Sequence, residues 1–235
     1  MTKEELVVLY EDNHIIVVFK PQNVPCCEDP TGDKDLLTII KEYVKEKESK
    51  PGNVYIGLVH RLDRVTGGVM VYAKSSKAAG RLGEQMKEGD FEKKYLTVLV
   101  GSPKEKKAVL SDYMKKNPVN NMVYVCPQTV EGAKFAELDY KVLDERKNLS
   151  LVAVKLHTGR THQIRVQFAS RGTPVYGDMR YGGERAVKGK IALWAASLTF
   201  SHPVSKERLS FKVEPPLDGE PWNKFEIGKD TLVYL

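Results

Sequence analysis

Apolar residues in this chain fall into short runs whose spacing switches between two periods. Leu6–Tyr10 and His14–Phe19 are rich in β-branched residues and are separated by Asp12-Asn13, which predicts two strands joined by a turn. Lys20-Pro21 and Pro25 close the second strand. Leu36, Leu37, Ile39, Ile40, Tyr43 and Val44 recur at helical spacing, and that helix fades into a charged tail, Lys45–Lys50, before Pro51-Gly52. Val54–Val59 and Val69–Ala73 read as strands. Ser75 or Ser76 caps a second helix that Gly89 ends, and Tyr95–Val100 is a strand of high β-propensity. Ser102–Asn121 is lysine-rich and poor in apolar residues, so a solvated excursion from the core is expected there. Strands return at Phe135–Leu143 and Leu149–Leu156. A third helix follows, with Thr161 as its N-cap and Gly172 as its stop. Ile191–Phe200 and Arg208–Val213 are again strand-like, with Pro203, Pro215 and Pro216 as punctuation. Many strands with a few helices, not in strict alternation, predict an α+β fold on a mixed, largely antiparallel sheet with flanking helices.

Composition narrows this only in part. The chain has 235 residues, 41% of them hydrophobic, enough for a substantial core in one large domain or two closely joined lobes. A formal net charge of +6 suits a polyanionic partner without requiring one. Cys26, Cys27 and Cys126 include no CxxC pair, which argues against a disulfide framework or a zinc site and for a reducing compartment. The charged start, Met1–Glu5, leads straight into a strand, and no apolar run reaches eighteen residues. The expectation is a cytoplasmic protein with no membrane association.

Two segments carry candidate chemistry. In His60-Arg61-Leu62-Asp63-Arg64-Val65-Thr66-Gly67-Gly68, one carboxylate sits between two cations in a loop just ahead of a strand. An acid flanked by fixed positive charge stays ionised and can act as nucleophile or base, although Arg–Asp neighbours are usually surface ion pairs. In Leu156-His157-Thr158-Gly159-Arg160-Thr161-His162-Gln163-Ile164-Arg165, a strand turns into a helix. Ile164 and Phe168 lie within about 40° on a helical wheel, Val166 and Ala169 extend their arc, and Arg165 falls in its middle. Arg165 therefore points inward, where a guanidinium needs partners. Those partners are backbone carbonyls in one reading and Asp63 in the other. His157 and His162 end a strand and open a helix, and are read as structural rather than as metal ligands.

These residues resemble the RluA-type RNA pseudouridine synthases. The resemblance rests on HRLD-x-x-TGG (His60–Gly68) and TGR-x-HQIR (Thr158–Arg165). It is supported by Asp12–Pro21 with its terminal Lys-Pro, by Lys94-Tyr95 ahead of a strand, and by Leu193-Trp194-Ala195 through Leu198–Pro203. The five segments run in the family's order from about residue 6 to residue 215. Two positions depart from the family pattern, Gly67 where serine is usual and Trp194 where histidine is usual.

The resemblance implies a single pseudouridine synthase catalytic domain over 1–235, with two lobes around a central cleft and no separate N-terminal RNA-binding domain. It also implies isomerisation of a uridine in structured RNA, ribosomal or transfer, without cofactor or metal, by a chain that is monomeric by default and needs no obligate protein partner. Asp63 is then the essential carboxylate, attacking C1′ or removing the C2′ proton. Tyr95 stacks on the flipped uracil or relays the C5 proton, where the plainer reading is a packed sheet tyrosine. Arg165 orients Asp63. Arg61, Arg64, Lys93, Lys94 and Arg160 are candidate phosphate contacts, Arg160 foremost because it precedes a helix N-terminus, and the lysine-rich excursion over 102–121 is a second stretch that can face the RNA. The main rival is an RNA-binding protein of the same fold that has lost catalysis. A glycosidase using Asp63 with a second acid is disfavoured because no other acid is equally marked.

Overall fold

The structure, a computed structural model, describes residues 1–49, 52–228 and 231, so Lys50 of the expected charged tail and Pro51 after it lie outside the described residues. The chain divides into two compact units, Met1–Glu92 with Ala195–Val213, and Lys93–Trp194 with Glu214–Leu235. The α+β expectation holds, with antiparallel strand pairing and three α-helices among the described residues.

In the first unit, β1 (Val8–Glu11) pairs with β2 (Ile15–Lys20), and β2 pairs with β4 (Gly67–Ala73), all antiparallel. The Asp12 turn between β1 and β2 is held by its own carboxylate, whose Oδ1 accepts from the His14 and Ile15 amides at 2.7 and 2.8 Å. Every residue of β4 is buried, which is why its sequence reads as an unbroken apolar run rather than an alternation. Ile15, Val17, Val69 and Val71 share a cluster with Ala78 and Leu82 of α2 (Ser76–Glu88) and with Phe91, Leu198 and Phe200. Ile16, Val18, Met70 and Tyr72, on the alternate positions, are as deeply buried. Both helices start and stop as their sequences dictate. Asp35 caps α1 (Leu36–Lys47) by accepting from the Thr38 amide, Ser75 caps α2 through the Ala78 amide, and Gly89 ends α2 in the left-handed conformation. The expected strand Val54–Val59 shortens to β3 (Gly57–Leu58), which pairs only with the far end of β4.

Strand β10 (Leu193–Ser201) lies in this unit from Ala195 on, and β11 (Arg208–Lys212) pairs along it. Gly68 sets how close β10 can come. Its φ of 130° disfavours a side chain, and a Cβ there would stand 2.7 Å from the Ala195 carbonyl carbon and nearer still to its oxygen.

The second unit is an antiparallel sheet in the order β5 (Glu92–Val100), β9 (Leu149–Leu156), β8 (Lys134–Arg146), β6 (Lys107–Lys116), β7 (Val123–Cys126). Here one expectation fails, since the lysine-rich 102–121 stretch contains the ten-residue strand β6 rather than a solvated excursion. Leu110 and Met114 face inward while lysines occupy outward and terminal positions, so a strand is hidden in a polar-looking sequence. Helix α3 (Gln163–Ala169) packs on this inner face, with Val166 against Met114, Val123 and Ala136, and Phe168 edge-on to Tyr140 at 5.3 Å. Gln167 reinforces the contact, its Nε2 donating to the Leu110 carbonyl at 3.1 Å and to Asp112 Oδ2 at 2.7 Å.

Gly68→Ala is expected to destabilise the protein by about 3 kcal/mol, because the added methyl meets backbone that cannot rotate away. Urea unfolding followed by circular dichroism measures this, and an unchanged midpoint would contradict the packing described.

Candidate active site

The segment from Leu62 to Thr66 is irregular backbone, and each of its carbonyls has a partner in residues 20–26. Lys20 supplies most of them. Its side chain is fully buried, and Nζ donates to the carbonyls of Asp63 (3.4 Å), Arg64 (3.0 Å) and Thr66 (2.7 Å), as well as that of Pro21 (3.1 Å). The Asn23 amide adds a bond to the Arg64 carbonyl at 2.8 Å, Gln22 Nε2 one to Val65 at 3.0 Å, and the Cys26 thiol one to Leu62 at 3.2 Å. The Thr66 amide closes a turn onto the Asp63 carbonyl at 2.9 Å. A backbone tied at every carbonyl leaves little freedom at its Cα atoms. Upstream, His60 is fixed as an acceptor, Nε2 taking the Val71 amide at 3.1 Å, with its ring edge-on to Phe91. Asp63 itself is half-buried.

Burial lowers the Lys20 ammonium to about 8. Four carbonyl dipoles meet that buried charge, so the loop's own backbone replaces much of its lost solvation. Sequence reasoning assigned Lys20-Pro21 only the role of ending a strand. A lysine closing an all-apolar run, where its stem must be buried, was the signal available.

Arg64 turns outward. It pairs with Asp29 at 3.4 Å and with Asp33, and bonds Thr31 Oγ1 at 2.7 Å. Its guanidinium pKa is raised, first by the hydrogen bond to Asp33, and its charge is already matched within the chain. Arg61 is exposed.

In the second unit, Tyr95 on β5 is buried, 6% exposed, and lies opposite Val154 of β9. Lys94 is half-buried and stands opposite Lys155. Burial lowers the Lys93 pKa, and its Nζ lies 3.4 Å from where a Cβ on Gly159 would sit, so the glycine lets that ammonium approach the loop backbone.

Arg165 points inward as the wheel required, 6% exposed. Its partner in this unit is Asp178, which the sequence had not marked, through Nε–Oδ2 at 2.7 Å and Nη2–Oδ1 at 2.8 Å. The amides of Arg180 (3.0 Å) and Tyr181 (3.2 Å) also donate to Asp178 Oδ1, and the Tyr181 ring lies 5.1 Å from the Arg165 guanidinium carbon. A two-pronged, fully bonded pair of this kind is rigid as well as neutral overall.

The entry to α3 corrects the expected cap. Thr161 is not the N-cap. His162 occupies that place in left-handed conformation, φ 53°, without a side-chain cap, and the helix runs for only seven residues. Gln163 knits the turn instead, its Oε1 accepting from Thr158 Oγ1 at 2.7 Å and from the Arg160 amide at 3.0 Å, while Nε2 donates to the Glu137 carbonyl. The Arg160 amide is thus already used, and its side-chain Nε donates to the Phe135 carbonyl at 2.7 Å, so no helix-terminal phosphate site forms there. Both histidines of this segment have polar partners within the unit. His157 bonds Asp139 at 2.9 Å and His162 Nδ1 lies 2.7 Å from the Tyr181 hydroxyl, which also accepts from the Val123 amide. Among the described residues no group of three or more His, Cys, Asp or Glu side chains is placed to hold a metal ion, and no helix is long and apolar enough to cross a membrane.

Comparison with known proteins gives this arrangement its class. The family model for RNA pseudouridylate synthase matches residues 14–170, which span β2 to the end of α3. An uncharacterized RNA pseudouridine synthase of Aquifex aeolicus is 36% identical over 221 residues, 89% of this chain and 69% of that protein. Ribosomal large subunit pseudouridine synthase C of Vibrio parahaemolyticus is 30% identical over 92% of this chain and 67% of its own length. The solved human RNA pseudouridylate synthase domain containing 1 superposes with a TM-score of 0.76 at 25% identity, covering 99% of this chain and 95% of that one. The chain belongs to the RNA pseudouridylate synthase family, in its RluA-type branch. It is an isomerase, acting on uridine in RNA.

Two outcomes follow from the buried charges. Lys20→Met removes a group whose folded pKa, about 8, is below the ordinary lysine value of 10.5, so between these pH values the unfolded chain binds more protons. That difference favours folding increasingly as pH rises, and the stability of the parent over Lys20→Met should grow by about 3 kcal/mol from below pH 8 to above 10.5. Urea midpoints of both proteins across that range measure it, and parallel curves would refute it. Asp178→Asn strands the Arg165 guanidinium and should cost about 3–5 kcal/mol by the same unfolding assay, far more than neutralising Asp33 at the surface.

Proposed function

We propose that this pseudouridine synthase modifies a uridine in structured ribosomal RNA, with transfer RNA as the second candidate substrate, and that Asp63 is its essential carboxylate. The ribosomal reading is supported by the name of the Vibrio relative, a large subunit synthase. The role of Asp63 is supported by one observation above the rest, the loop whose every carbonyl from Leu62 to Thr66 is bonded, so that a half-buried acid is presented from fixed backbone. Prepositioning of this kind contributes to rate because the reacting group need not be ordered during the reaction.

The reaction breaks the uridine C1′–N1 bond, turns the uracil, and rejoins it to C1′ through C5, after which the C5 proton leaves and N1, freed from the sugar, takes up a proton. Nothing is oxidised or lost overall, so the proposal includes no cofactor. The Asp63 carboxylate has two tasks open to it, bonding to C1′ as N1 departs or taking the C2′ proton. Tyr95 is assigned to the base, by stacking or by receiving the C5 proton, and Arg165 to holding the carboxylate's charge. Asp178 fixes the Arg165 fork within its own unit. Reaching C1′ in folded RNA requires the nucleotide to be swung out of its stack. Arg61, Arg160 and Lys94 are proposed as phosphate contacts; Arg64 ranks below them because Asp29 and Asp33 already match its charge. The chain is proposed to act as a monomer in the cytoplasm.

Asp63→Asn should abolish tritium release from 5-tritiated uridine in transcripts while the melting curve and RNA affinity stay near those of the parent. Residual turnover above a trace removes Asp63 from the chemistry. Deuterium at C2′ separates its two tasks, slowing the reaction several-fold only if that proton is taken in the slow step.

A further inference from the structure

The outward face of the second unit's sheet carries three aromatic side chains that the isomerisation does not use. Tyr113 of β6 lies directly opposite Phe135 of β8, with ring centroids 5.5 Å apart and edge to face. On the other side of β6, Lys115 lies opposite Tyr124 of β7. Side chains alternate along a strand, so Tyr113 and Lys115 share the face opposite the buried Leu110 and Met114. Phe135, Tyr113 and Tyr124 thus form a diagonal row across three neighbouring strands. Phe135 is 39% exposed and Tyr124 44%. A cross-strand aromatic pair alone stabilises a sheet, but that role gives no reason for a third ring or for this much exposure.

Two cations stand beside the row. Lys115 is on the same face, and Arg160 is exposed next to Phe135, whose carbonyl it bonds. Two acids lie further along the strand that carries Phe135, Glu137, which accepts from the Ser111 hydroxyl at 2.8 Å, and Asp139, bonded to His157 at 2.9 Å. The strand carrying Phe135 is also stitched to the Thr158–Gln163 turn through the Glu137 amide and carbonyl. We propose that Phe135, Tyr113 and Tyr124 are a stacking platform for unpaired bases of the substrate RNA, with Lys115 and Arg160 meeting the flanking phosphates. Exposed rings interleaved with cations suit a strand that offers π-faces and phosphates in alternation. The substrate class of the family is such a polymer. The inference rests on that class and not on the assignment of Asp63.

The test measures binding of fluorescein-labelled dodecauridylate to the full chain by anisotropy, with folding checked by far-ultraviolet circular dichroism. Tyr124→Ser, Phe135→Val and Tyr113→Thr are each expected to weaken binding about tenfold without changing the salt slope. Phe135→Trp should bind as the parent does. Lys115→Gln and Arg160→Gln should each flatten the logarithmic salt slope by about 0.7. Tyr124→Ser, at an exposed position on an end strand, keeps the test valid should the Tyr113 variant unfold. Asp63→Asn should bind like the parent, so failure of either reading leaves the other standing. Folded aromatic variants with parental affinity would overturn the proposal, and that is also the result a protein-binding face would give.

Discussion

The bonds from the Lys20 ammonium to the backbone of the Asp63 loop are the constraint on which this first unit depends. A lysine without a trace of exposure is rare, and it persists only where its charge is solvated by protein. Here that solvation comes from the carbonyl oxygens of Asp63, Arg64 and Thr66, each of which gains a charged donor in return. Strand pairing makes the geometry possible, because the register sets Lys20 opposite Gly68, where the loop re-enters the sheet. The second unit solves the same problem in another way. The Arg165 charge is matched by a carboxylate, Asp178, itself bonded by two amides. One unit thus fixes a flexible backbone with a cation, and the other fixes a cation with an anion.

Much of this was legible in the sequence. β4, β9, α1 and α2 were readable because their burial is uniform or strictly periodic and their caps are ordinary Asp, Ser and Gly. Strand β6 was hidden because only Leu110 and Met114 of its ten residues are buried and three lysines lie towards its ends. The start of α3 was misplaced because a left-handed histidine and a glutamine side chain take over the work of a serine or threonine cap.

The candidate site shows the same division. Arg165's inward direction followed from the wheel, since a seven-residue helix buried on nearly every position leaves an arginine in the apolar arc no other course. Asp178 carried no mark, because it lies in an irregular Gly-rich segment without periodicity. Lys20's burial was signalled by its place at the end of an apolar run, but its function was not. Its partners are main-chain oxygens, which are the same whatever the residue, so no side-chain pattern records them.

That indifference to residue type has an evolutionary consequence. The scaffold grips positions 62–66 at every main-chain carbonyl, so the side chain at 65 can be exchanged without shifting the nearby acid. Recognition can drift while chemistry stays put, and paralogues with new targets can arise by single substitutions in the very loop that holds the reactive group.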